Sequence, residues 1–148
     1  MSIPPALSLA LIVAAGTALA TQAPINVALA RLSASGLVAA AISFGVGFAA
    51  LTALAVALGH GGGFVRAATA SPVLLTGGLL GAFYVWAMIT GLPALGVLTA
   101  VSALILGQLG MALFIDAVGP FGLPVREVSP TRIAAALMVA GGLMLSRF

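Results

Sequence analysis

Ser35 to Leu58 reads SGLVAAAISFGVGFAALTALAVAL, an apolar run without a single charged side chain. A helix needs about 20 mostly apolar residues to cross a bilayer core of about 30 Å, and this run meets that length. Four further segments have the same character, over about 4–32, 72–90, 93–118 and 130–146. The expectation is an all-α integral membrane protein of about five transmembrane helices, with residues 1–148 forming a single transmembrane domain. Only helices or closed barrels satisfy their backbone in hydrocarbon, and the alternating pattern of a barrel is missing.

Composition leads to the same solvent. Of 148 residues, 63% are hydrophobic and 5% charged, against about 45–50% and about 25% in soluble domains. Five arginines, one aspartate and one glutamate cannot cover the surface of a water-soluble fold. The net charge is only +3, and the arginines do not cluster, which excludes a nucleic-acid face. There is no cysteine, and so neither a disulfide frame nor a thiolate metal site. Residues 6–16 resemble a signal-peptide core, with Ala18-Leu19-Ala20 as a cleavage site. Met1–Pro5 lacks the usual basic residue, however, and the apolar run continues beyond Thr21, so a retained first span is expected.

The breaks between spans are Arg31–Gly36, the glycine-rich Gly59–Arg66, a Gly91-Leu92-Pro93 hairpin, and Gly119–Pro124. Ser129-Pro130 reads as N-cap and first residue of the last helix. Five spans put Arg66, Arg126 and Arg132 on one side and Arg31 and Arg147 on the other. The positive-inside rule finds almost no bias in three against two. Two readings fit: a fixed topology with weak markings, or insertion both ways followed by antiparallel pairing.

Membrane helices associate through close packing. The fourth segment has a seam of small residues, Gly96, Ala100, Ala103, Gly107 and Gly110, closed by Phe114. The third has Gly77, Gly81, Tyr84, Met88 and Gly91. Each seam suits either a dimer or packing within one chain; the length of the fourth favours a share in dimerisation.

Polar side chains within spans are functional candidates. Gln22 and Asn26 lie one helical turn apart around Pro24, which frees a backbone carbonyl and is expected to kink the helix. Ser43 and Gln108 lie near the middle of their spans, and Tyr84 and Trp86 can line a cavity. These six are the candidate substrate-binding residues, and each has a plainer reading as helix glue or an interface anchor. Asp116, at the end of its span, either pairs with an arginine or gates access. No Asp or Glu occupies a mid-span position, which argues against proton-coupled export of cations and leaves a neutral or polar solute. His60 sits in a glycine-rich loop, where flexible linker chemistry is expected. No catalytic set, metal-ligand cluster or cofactor motif is present, so an enzyme is not expected.

The run Thr21-Gln-Ala-Pro-Ile-Asn26, then Ile42-Ser-Phe-Gly45 and Gly47, resembles the first half of YdcZ-type proteins of the drug/metabolite transporter superfamily. Gly77-Gly-Leu-Leu-Gly-Ala-Phe-Tyr84 resembles their third span, and Gly107-Gln108, Asp116 and Gly119 their fourth. The resemblance implies a short five-span protein of the bacterial inner membrane. It implies copies inserted in both orientations, paired as an antiparallel, dual-topology homodimer that forms an inverted repeat. Small multidrug transporters of that superfamily carry a glutamate in their first helix; here Gln22 and Asn26 occupy that region, so drug–proton antiport does not carry over. The function expected is secondary transport of a small solute by alternating access. The competing reading is a non-transporting subunit that packs against another membrane protein.

Overall fold

A computed structural model describes residues 4–146. It contains seven α-helices, and no strand occurs among the described residues. The chain divides into two compact units, residues 1–93 and 94–148. Helices over Pro5–Leu32, Gly36–Ala57, Pro72–Leu95 (with one interruption) and Val97–Val118 are long and apolar enough to cross a membrane. At 1.5 Å per residue the shortest of these spans about 33 Å. The last helix, Pro130–Leu145, is apolar but has 16 residues, about 24 Å.

In the first unit, α1 (Pro5–Leu32) packs on α2 (Gly36–Ala57). The helix runs unbroken across Pro24. The missing proline N–H leaves the Ala20 carbonyl without its usual partner. At the other end of α1, Ala34 takes the left-handed conformation (φ 53°), and the Ser35 amide donates to the Ala30 carbonyl (3.1 Å). That is the Schellman arrangement. Ser35 then caps α2, its hydroxyl accepting from the Val38 amide (3.3 Å). Three residues, Ser33 to Ser35, thereby reverse the chain and set α1 and α2 antiparallel.

The glycine-rich stretch departs from the linker expectation. Gly59 takes φ 78°, and the His60 amide donates back to Ala55 (2.8 Å), a second Schellman stop. A short helix, α3 (Gly62–Ala67), follows at once. One turn at Pro72–Leu75 (α4) leads into α5 (Gly77–Leu95). The hairpin expected at Gly91-Leu92-Pro93 is not formed. Pro93 stands in the last turn of α5, where its missing N–H removes a single bond, and the chain breaks instead at Gly96, whose φ of 75° suits glycine. The third span is thus longer than the sequence indicated and the fourth starts later. The core of this unit is Ala39 and Ala40 of α2 against Val85 and Ile89 of α5, with Leu29, Ala30 and Tyr84 packed around it. Gly36 permits that approach, since a Cβ there would lie 3.2 Å from Ile89 Cγ2.

In the second unit, α6 (Val97–Val118) and α7 (Pro130–Leu145) form an antiparallel pair. At one end the Thr99 hydroxyl donates to the Ser146 carbonyl (3.1 Å). At the other, Arg132 forms a part-exposed ion pair with Asp116, realising the pairing alternative for that aspartate. Ser129 and Pro130 occupy the expected N-cap and first-turn positions, but the Ser129 hydroxyl bonds Thr131 Oγ1 (2.8 Å) and not a backbone amide. Arg147 lies outside the described residues.

The turn after α6 is tight. Gly119 takes φ 64°, and a Cβ there would come within 2.6 Å of the Leu123 carbonyl oxygen and 2.8 Å of Val125 Cγ2. Gly122 also has positive φ (81°), but nothing lies within 4 Å of its Cβ position. Gly122→Ala should therefore cost about 1 kcal/mol, the left-handed penalty alone. Gly119→Ala must in addition move backbone, and should cost at least about 2 kcal/mol. Reversible unfolding in mixed micelles measures both, and equal losses would contradict the steric account.

Candidate functional site

The described surface is mostly apolar, with large hydrophobic side chains exposed along every long helix. Hydroxyls on these helices are largely spent on their own backbone: Thr17 donates to the Val13 carbonyl, Thr21 to Thr17 and Thr90 to Trp86. Thr21 therefore offers little to a solute. Ser43 behaves differently. Its hydroxyl accepts from Gln22 Nε2 (3.3 Å), joining α1 to α2.

This pair lies on a groove of about 440 Å³ in the first unit. Tyr84 of α5 lines the same groove. The rest of its wall is apolar: Leu19 from α1, Phe44, Gly47, Phe48 and Leu51 from α2, and Val85 from α5. Three polar side chains from three helices thus converge in an otherwise hydrocarbon-like site, with no charged group in its lining. Gln22 is ten residues from the end of α1 and Ser43 seven from the start of α2. At 1.5 Å per residue they stand about 10–15 Å below the α1–α2 turn, near the midplane of a bilayer of about 30 Å.

The six expected binding residues separate on folding. Gln22, Ser43 and Tyr84 come together. Asn26 does not line the groove; it is buried on the same α1 stripe as Ala23 and Val27. Trp86 lines a different, mostly apolar cavity of about 380 Å³, with Ala40, Ala41 and Phe44 of α2 and Ala82 and Phe83 of α5. Gln108 belongs to the second unit and is exposed on α6.

The small-residue seams also divide. Gly96 lies outside α6, as its N-cap, and Ala100 is buried. Ala103, Gly107, Gly110 and Phe114 remain exposed, and nothing lies within 4 Å of a Cβ placed on Gly107 or Gly110. In the other seam, Gly77 is likewise open, whereas a Cβ at Gly81 would lie 3.1 Å from Phe44 Cζ. Gly81 therefore serves packing within the chain. Phe44 was not among the expected site residues, yet it borders both cavities. Its spacing from Phe48 and Leu51 marks one face of α2, but an apolar face on an apolar helix carries no signal of its own. Thr99 and Ser146 gave none either, being single hydroxyls far apart in sequence.

An all-helical chain with several apolar helices of membrane-spanning length is a polytopic membrane protein. Residues 7–145 match the family described as "Putative inner membrane exporter, YdcZ". The chain is also 30% identical to the inner membrane protein YdcZ of Escherichia coli (strain K12), over 95% of each chain. It belongs to the YdcZ family and is a multi-pass protein of the bacterial inner membrane. That family description points to transport and not to catalysis. No solved structure matches the chain significantly.

The Gln22–Ser43 contact has a measurable energy. Interhelical hydrogen bonds in membranes average about 0.6 kcal/mol. A double-mutant cycle of Gln22→Ala and Ser43→Ala should give a favourable coupling of about 0.5–1 kcal/mol in micellar unfolding. Additive losses would mean that the two side chains do not interact.

Proposed function

We propose that the protein is a secondary transporter of a small uncharged solute, which it binds at the groove formed by Gln22, Ser43 and Tyr84. The observation that carries this reading is the convergence of those three side chains at mid-membrane depth. A carboxamide and two hydroxyls offer both donors and acceptors, and an uncharged lining does not compensate a desolvated ion. Cation–proton exchange lacks its carboxylate here.

The transporting unit is an antiparallel homodimer of five-span protomers, each chain forming one transmembrane domain. Two features support the fifth span. α7 is tied to α6 at both ends, so it follows a helix of span length, and its shortfall against the bilayer is met by local thinning. The exposed Ala103–Gly107–Gly110 stripe supports the dimer, since small residues let a partner helix approach closely. Two oppositely oriented copies build an inverted repeat, and rocking of one against the other alternates access to the grooves.

Flux into proteoliposomes tests the site, with a panel of neutral amides and polyols set against the cation ethidium. Saturable flux of a neutral solute is expected, and Gln22→Ala and Ser43→Ala should each raise its KM about fivefold, the value of one hydrogen bond. Saturable ethidium flux indifferent to both substitutions would overturn the assignment. Topology is tested separately. The chain has no cysteine, so Ser33→Cys and His60→Cys, at opposite ends of α2, report without background. Under dual insertion an impermeant maleimide labels about half of each variant from either face. One-sided labelling excludes the antiparallel pair.

A further inference from the structure

Asn26 and Thr99 are the buried polar residues among those described, at 4% and 7% exposure. Thr99 is partnered, its hydroxyl donating to the Ser146 carbonyl (3.1 Å). The Asn26 carboxamide takes part in no hydrogen bond among the described residues. The register of α1 on α2 gives the reason. Gln22 meets Ser43 across this antiparallel pair, which sets Asn26 level with Ala39, and α2 carries no polar side chain from Gly36 to Ile42. The buried residues of α5, Val85, Met88, Ile89 and Leu92, are apolar as well. Yet Asn26 is not sealed. Among the described residues no buried side-chain nitrogen or oxygen is both fully enclosed and without a partner. The amide oxygen and nitrogen of Asn26 therefore each keep a little accessible surface, although the residue as a whole is enclosed.

We propose that Asn26 is a second polar contact for the solute, on a narrow aqueous path that runs from the groove toward the α1–α2 turn. This inference rests on the reading of the Gln22 groove as the solute site and extends that site by one helical turn. A carboxamide without a partner is costly in hydrocarbon, and the tip of this one is the part left accessible. Its oxygen and both N–H groups are available to a ligand, whereas Gln22 already gives one N–H to Ser43. Asn26 stands four residues beyond Gln22, about 6 Å nearer the α1–α2 turn. Two carboxamides at that separation suit a neutral solute with hydrogen-bonding groups at both ends, such as a short polyol or a diamide, over a molecule with one polar group.

Asn26 is the single asparagine of the chain, and Gln22 and Gln108 are its glutamines. The full chain in nanodiscs, labelled with nitrogen-15 in the asparagine side chain, therefore gives one pair of carboxamide signals, from Asn26. Glutamine labelling of Gln108→Ala gives one pair, from Gln22. Both pairs are expected to exchange with deuterium oxide less than about a hundredfold more slowly than a free carboxamide, because a sealed group must wait for the protein to open. Slower exchange at Asn26 with fast exchange at Gln22 would overturn the extension and leave the groove standing. Slow exchange at Gln22 would bring down the groove and the extension together. In proteoliposomes, Asn26→Leu and Asn26→Ala should each lower the flux of the best-carried neutral amide or polyol about fivefold, the value of one hydrogen bond. Unchanged flux in both would mean a carboxamide that is wet but idle, and would overturn its role as a solute contact.

Discussion

The solvent of this protein is hydrocarbon, and an unpaired polar group has nowhere to turn in it. A backbone N–H or C=O without a partner in the bilayer core costs several kcal/mol, so the chain closes its hydrogen bonds within helices. Helix ends are closed as strictly. Ala34 and Gly59 take left-handed conformations to satisfy the last carbonyls of α1 and α2. Gly119 takes another at the end of α6. Side-chain hydroxyls bond the preceding turn of their own helices. Against this background the hydrogen bond between Gln22 and Ser43 is distinctive, because it crosses between helices and lies on a groove.

The same solvent shapes the packing. With no water to exclude, large side chains on the outer faces of α1, α2 and α5 lose nothing by facing lipid, and the buried core stays small. Alanines and Gly36 form the contact between α2 and α5, because short side chains let two helices come near enough for dispersion to act. Gly81 applies the same rule to the ring of Phe44. The second unit uses polar ties instead: Thr99 with Ser146 at one end of its helix pair, and Asp116 with Arg132 at the other. An ion pair at a helix end lies near the headgroups, where water lowers the cost of charge.

Gln22, Ser43 and Tyr84 are the polar side chains that line the groove of the first unit. A carboxamide and two hydroxyls in a groove without charge can recognise donors and acceptors but cannot compensate an ion.

The sequence by itself determined the solvent, the helical class, most span boundaries and the family. These depend on composition and on runs of apolar residues, which are local properties. It also marked Gln22, Ser43 and Tyr84, because polar residues are rare in such runs. Only the tertiary structure decided which of the marked residues meet. Asn26 went to the packed stripe of α1, Trp86 to a separate cavity and Gln108 to an exposed face of α6, because rotational phase on a helix is set by its neighbours. Where every side of a helix is apolar, no periodicity announces the face that packs. The break at Gly96 in place of Gly91–Pro93 has a similar cause: a proline in a last turn costs one hydrogen bond, and a glycine three residues on accepts the positive φ that ends the helix.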